Sequence, residues 1–251
     1  MNKVNLISKY IDNPFFRFLL KKIFYPFYFF DYRKLIEAKT AFHYLDIKDG
    51  DVICDIGCGS GEYSLKIMKK NATVYGVDIN KKAVEITKIM TDNKNNFFIS
   101  DAEKLPFKSE LFDKAILICT LEHLKDDEKA LREINRILKK DGIFVLTVDS
   151  FTYPYIEKHI LEKHKKKDFV NNYYSMPQLK MKLENAGFNV LKSRYLLSSG
   201  ISSFFFKLGI INFWIIFVFF PIFYILSLFS EYIINKKDYG YLLAMKCRKI
   251  K

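Results

Sequence analysis

Short apolar runs alternate along this chain with longer stretches whose apolar residues recur every three or four positions. Segments 52–56, 74–78, 97–100, 112–119 and 143–148 are of the first kind and read as strands buried on both faces, as in a parallel sheet. Helices are predicted between them. Leu65, Ile67 and Met68 sit among lysines, and Ala83, Val84, Ile86 and Ile89 mark a helix over 80–90. Ala130, Leu131, Ile134, Ile137 and Leu138 share one face of 128–139, which Asp141 and Gly142 should stop. A helix over 33–48 precedes the first strand, and Ser175-Met176-Pro177 caps another running to Asn185. Strands are expected again at 188–197 and 239–248. This order predicts an α/β fold, doubly wound around a mostly parallel sheet.

The first strand runs into Asp55-Ile56-Gly57-Cys58-Gly59-Ser60-Gly61. Glycines at alternate positions allow positive φ and let a ligand approach the main chain. The helix that follows offers unpaired N–H groups. Asp78 ends the second strand, seventeen positions after Gly61, where a carboxylate can take both hydroxyls of a ribose. Taken alone, Asp78 reads equally well as the N-cap of the next helix; the glycine turn upstream favours the ligand. A dinucleotide fingerprint is G-x-G-x-x-G and seats a pyrophosphate. Here the pattern is D-x-G-x-G-x-G, with an acid before the first glycine and no cation in the turn. Such an acid repels a pyrophosphate and suits a ligand with a cationic amino group.

On these residues the chain resembles the class I S-adenosylmethionine (SAM)-dependent methyltransferases, particularly the small-molecule branch that includes quinone and sterol-type enzymes. The resemblance covers roughly residues 41–189 and the last dozen. It implies a Rossmann-like, seven-stranded sheet whose last strand inserts antiparallel between the fifth and sixth. It also implies SAM as cofactor, with S-adenosylhomocysteine as product. The site it implies consists of Asp55, Gly57, Cys58, Gly59, Gly61, Tyr63, Asp78, Ile79, Asp101, Ala102 and Cys119. Asp101 would accept from the adenine amine and the Ala102 N–H would donate to a ring nitrogen.

Charge and composition single out the flanks. The formal net charge is +13, yet residues 40–150 carry 17 basic and 19 acidic residues. The positive excess lies outside that core, in segments rich in Phe and Tyr, which suggests an anionic surface as partner. From Leu208 to Ser230 there are twenty-three uncharged residues, long enough to span a hydrocarbon core. A single crossing would strand the last β-strand on the far side. Pro221 therefore predicts two helices, about 203–220 and 222–235, forming a re-entrant or interfacial hairpin with aromatic rings all round. The alternatives are a buried pair over the sheet and a true single span. The organisation expected is an aromatic and basic lid or membrane-contact segment over 1–39, a SAM-binding domain over 40–198 and 236–251, and an apolar membrane-associated insertion over 199–235. Segment 13–30 is a further membrane contact. Cys54, Cys58, Cys119 and Cys247 form no metal-type pattern with histidine, so no metal is expected, and free thiols suit a reducing cytoplasmic side. Early charges at Lys3, Lys9, Asp12 and Arg17 argue against a secretory leader.

Methyl transfer requires an acceptor held in line and often a proton removed. His123 stands at a ligand-facing strand end and is the candidate for that role, with Glu122 the weaker one; as a lone histidine it also reads as an ordinary loop residue. The expected function is methyl transfer to a lipid-like or membrane-associated acceptor such as a quinone, isoprenoid or lipid-linked glycan. One alternative is a tRNA or rRNA methyltransferase using the basic flanks, although no separate RNA-binding module is present. The other is a non-catalytic membrane adaptor, against which the presence of Asp55, the glycines, Asp78 and Asp101 weighs.

Overall fold

Each apolar run folds as the strand its pattern predicts, because alternate residues feed two separate cores. Ile53, Ile116 and Val145 point into one, and Cys54, Leu117 and Leu146 into the other. A computed structural model describes residues 13–19, 32–92, 96–154, 156–211, 219–233 and 238–250. The helices are α1 (Pro14–Leu19), α2 (Tyr32–Leu45), α3 (Glu62–Met68), α4 (Lys81–Met90), α5 (Asp127–Ile137), α6 (Lys158–Asp168), α7 (Met176–Asn185), α8 (Gly200–Ile211) and α9 (Phe220–Ile233). The strands are β1 (Val52–Ile56), β2 (Thr73–Asp78), β3 (Phe97–Ile99), β4 (Phe112–Ile118), β5 (Leu138–Asp149), β6 (Phe188–Leu196) and β7 (Leu242–Lys249). They form one sheet in the order β3-β2-β1-β4-β5-β7-β6, with β7 antiparallel to both neighbours, as expected.

Register decides what meets at the ligand edge of this sheet. Leu242 pairs with Asp149 on one side and Leu196 on the other. The chain therefore leaves the sheet after β6 and re-enters it at β7 on the same edge, beside the end of β5.

Several boundaries differ from expectation. β5 starts at Leu138, because Lys139 and Lys140 extend a strand edge rather than a helix face, and Asp141 takes φ +61° inside it. The boundary expected at residue 39 falls inside α2, whose Tyr32, Ile36 and Ala41 are core residues. Helix α1 packs Phe16 against Ile86 and Met90. Pro221 lies in the first turn of α9, where its missing N–H breaks no bond, instead of between two helices. Residues 212–218 of the expected hairpin lie outside the described residues.

The aromatic rings of α8 and α9 do not all face outward. Phe205 stacks on Phe223 at 4.0 Å and Phe206 on Tyr241 at 4.1 Å, and all four rings are buried. Phe204, Phe219 and Phe229 are exposed, whereas Phe213, Trp214 and Phe217 lie outside the described residues. Buried Glu231 fastens the pair to the sheet. Its Oε1 accepts the N–H groups of Ser198 (2.7 Å) and Ser199 (2.9 Å), and its carbonyl accepts from Arg194. Glu231→Ala orphans two buried donors and is expected to lower unfolding free energy by about 2–4 kcal/mol, measured by urea titration. Unchanged stability would show that the carboxylate is not the fastening.

Candidate functional site

The glycine turn is built by close packing. Gly57 has φ +72°, and a Cβ on it would run into the side chain of Thr120. Gly59 has φ +54° with open space in front of it, so main chain is presented directly to a ligand. The N–H groups of Gly57 and Cys58 donate to the Val77 carbonyl, and Gly59 N–H donates to Asp78 Oδ2 at 2.9 Å. Asp78 Oδ1 accepts from Asn80 N–H. The second strand thus holds the turn, and Asn80, not Asp78, caps α4.

These elements wall a cavity of about 580 Å³. Asp55, Gly57, Cys58, Gly59, Tyr63, Asp78, Ile79, Asp101, Cys119 and His123 all border it. Gly61 and Ala102 do not: Gly61 is the N-cap of α3 and Ala102 is buried in the core behind. Ile79 is 72% exposed at the rim, an apolar edge for a flat ring. Asp101 is exposed, its Oδ1 accepting from Glu103 N–H. Asp55 lies at the floor, accepts from Ser64 Oγ, and is pushed up to about 7 by burial.

A second cavity of about 340 Å³ adjoins the first, with Lys34, Cys119 and His123 common to both. Its floor holds Glu37, Glu122 and Asp149, all buried. Glu37 Oε1 accepts from Cys119 Sγ (2.8 Å) and Thr147 Oγ1 (2.7 Å), and Lys34 Nζ lies 3.0 Å from its Oε2. Burial alone would raise this carboxyl; Lys34 and those donors outweigh it and hold it below its ordinary value. Glu122 Oε1 accepts from Asp149 N–H, and burial pushes Glu122 up to about 7. Burial, and then the charge of Glu122, push Asp149 well above the ordinary carboxylate range. His123 is exposed, with Nδ1 3.3 Å from the Phe169 carbonyl.

Reading the sequence missed Lys34 and Glu37, because α2 was assigned in part to a flanking segment. It also missed Asp149 and His164. No local motif marks either residue; β5 register and α6 packing bring them in.

Residues 54–146 match the profile of a methyltransferase domain family. A putative methyltransferase, YrhH of Bacillus subtilis, is 33% identical over 129 residues, covering 48% of this chain and 72% of YrhH. The chain belongs to this methyltransferase family. Membership implies SAM as methyl donor, leaving S-adenosylhomocysteine. An uncharacterized protein of Methanocaldococcus jannaschii, MJ1252, is 39% identical over 164 residues, 64% of this chain; the match spans 59% of that relative's length. A demethylmenaquinone methyltransferase of Staphylococcus haemolyticus is 26% identical, covering 60% of this chain and 73% of the relative. Among solved structures, a SAM-dependent methyltransferase of Thermotoga maritima, described as a possible histamine N-methyltransferase, has the same fold. Its TM-score is 0.59 at 19% identity, covering 98% of this chain and 99% of that one.

The larger cavity of the methyltransferase domain fits SAM on three grounds. The bare main chain at Gly59 admits close approach, Asp55 and Asp78 supply acceptors for an amino group and a ribose, and Ile79 offers an apolar rim. Asp55 also makes a test of the floor. Protonated when folded and ionised when unfolded, it lowers stability as pH rises from about 4 to about 7. Asp55→Asn removes that dependence. In urea titrations without SAM, the variant is expected to gain on wild type by about 1 kcal/mol per pH unit across this window. A constant difference across the window would show that Asp55 ionises normally.

Proposed function

We propose that this protein transfers the methyl group of SAM to a lipid-like acceptor at a membrane surface, such as a quinone, isoprenoid or lipid-linked glycan. The observation that carries this reading is the two-sidedness of α8. Phe206 is buried and borders the acid-floored cavity, whereas Phe204, two residues earlier, is 61% exposed. α9 extends the same exposed surface with Ile222, Ile225, Leu226, Phe229 and Ile233. An apolar surface of this extent marks a partner or a membrane. Beside it α6 exposes Lys163, Lys165, Lys166 and Lys167, charge suited to an anionic leaflet. Among the described residues no helix is long and apolar enough to cross a membrane. The reading is therefore of a protein lying on the bilayer. α1, which exposes Phe15 and Phe18, supplies a second contact; residues 20–30 lie outside the described residues.

SAM supplies an electrophilic methyl on sulfur. The chain's residues must hold the acceptor against it and take up a proton. His123, where the two cavities meet, is one candidate for the proton.

In calorimetric titration the protein is expected to bind SAM, and Asp78→Ala to weaken binding at least about tenfold, or about 1.4 kcal/mol. No SAM binding by a folded protein would favour the adaptor reading. Flotation with vesicles of phosphatidylglycerol and phosphatidylcholine tests the surface. Wild type should float, and the double variant Ile225→Asp/Phe229→Asp should stay behind with its fold and SAM affinity intact. Methyl label entering RNA, with no vesicle binding, would overturn the membrane reading and favour the tRNA or rRNA one.

A further inference from the structure

One acid on the floor of this cavity is short of a hydrogen-bond donor, whereas Asp149 Oδ2 has His164 Nε2 3.7 Å away. Glu37 is supplied by Cys119, Thr147, Tyr63 and Lys34. Glu122 is fully buried; the Asp149 N–H donates to its Oε1 at 3.2 Å, while its Oε2 has no partner among the described residues. A buried carboxylate oxygen without a donor costs on the order of 1–3 kcal/mol or more, so a ligand that donates there is favoured. Asp149 stands beside it: atoms of Cys119, Glu122 and Asp149 lie within 4.8 Å of one another. The cavity wants a group bearing N–H or O–H and positive charge. Its rim has the opposite sign, with Arg33 and exposed Lys167 bordering it. Beyond the rim, Phe206 leads to α8, which packs on α9 through Phe205 and Phe223. Acid floor, basic rim and apolar surface thus follow one another outward.

We propose that this cavity receives the head of an aminophospholipid, with its ammonium on Glu122 and Asp149, its phosphate at Arg33 and Lys167, and its chains along α8 and α9. This rests on the lipid reading above and narrows it to an amine acceptor. The ammonium gives one proton to the Glu122 carboxylate, which becomes a carboxyl group. The freed nitrogen lone pair bonds to the methyl carbon of the sulfonium donor. The carbon–sulfur bond breaks with its electron pair left on sulfur, so the products are a methylammonium lipid and a neutral thioether. Glu122 then releases its proton to solvent. Burial sets this carboxyl near 7, where a proton acceptor works well at neutral pH.

The test offers vesicles of phosphatidylethanolamine with phosphatidylglycerol, or of phosphatidylglycerol alone, to the full chain with radiolabelled SAM. Label is expected in the amine lipid only. Glu122→Gln should cut transfer about 100-fold or more with SAM affinity and flotation unchanged. Without SAM, calorimetry should show phosphoethanolamine binding wild type and binding Glu122→Gln at least tenfold more weakly. Lys167→Glu, at an exposed position, should raise the apparent KM for the vesicles at least fivefold while SAM affinity stays the same. Full activity of both variants overturns the proposal. Label in quinol or isoprenoid fractions of a membrane extract, with none in the amine lipid, overturns the amine head and leaves lipid methylation standing. Soluble phosphoethanolamine labelled as fast as vesicles overturns the lipid part. No label anywhere, with SAM bound, overturns both.

Discussion

β7 makes two ladders at once, with β5 and with β6, and both are antiparallel. β5 and β6 therefore point the same way, and everything between residues 196 and 242 has to begin and end at the edge where they finish. That edge is also where parallel strands in this architecture present ligand-binding loops. One root of the apolar insertion, Leu242, pairs with Asp149 and joins the ladder to the cavity wall, and the other, Leu196, pairs with Leu242 on its far side. A single passage through a bilayer is incompatible with this ladder, whatever the hydropathy of 208–230 suggests.

The same edge concentrates buried acid, and the domain resolves the conflict differently for each residue. Glu37 is fully supplied by hydroxyl, thiol and ammonium donors and stays ionised easily. Asp55 has one hydroxyl donor, and Glu122 and Asp149 share too few; burial raises all three. Two buried carboxyls in contact cannot both ionise cheaply. The chain thus holds proton-accepting capacity at neutral pH beside the larger cavity. Lys34 links the two chambers electrostatically, since it pairs with Glu37 in one and borders the other.

The strand, glycine turn and helix that wall the larger cavity were legible because their causes are local. Gly57 and Gly59 need positive φ, and Asp78 reaches the turn through one hydrogen bond from Gly59. The alternating sides of β1, β4 and β5 were legible as continuous apolar runs for the reason that parallel strands are buried twice. The acid cavity was not. Glu37 was hidden in α2, whose aromatic and basic neighbours read as a flanking segment. Glu122 beside His123 looked like the poorer candidate until its burial and unfilled oxygen were visible. Asp149 and His164 meet only through long-range packing, 3.7 Å apart. Pro221 falls in the first turn of α9, where a proline loses no hydrogen bond, and residues 212–218 of the expected hairpin lie outside the described residues.

α8 and α9 occupy an intermediate state between core and membrane span, and that state follows from where their aromatic rings go. Phe205, Phe206 and Phe223 are buried with Tyr32 and Tyr241, so removing the pair would open the sheet's core to water. The opposite faces, from Ile201 and Phe204 to Phe229 and Ile233, bury nothing within the described residues. A pair buried on every side would need a further layer of protein; a spanning pair would need to surrender the stacking on Tyr241 and the Glu231 fastening. The proposed bilayer surface would satisfy both faces without disturbing either contact. It would also place a lipid head beside the acid-floored cavity, since Phe206 belongs at once to the helix, the core and the cavity wall.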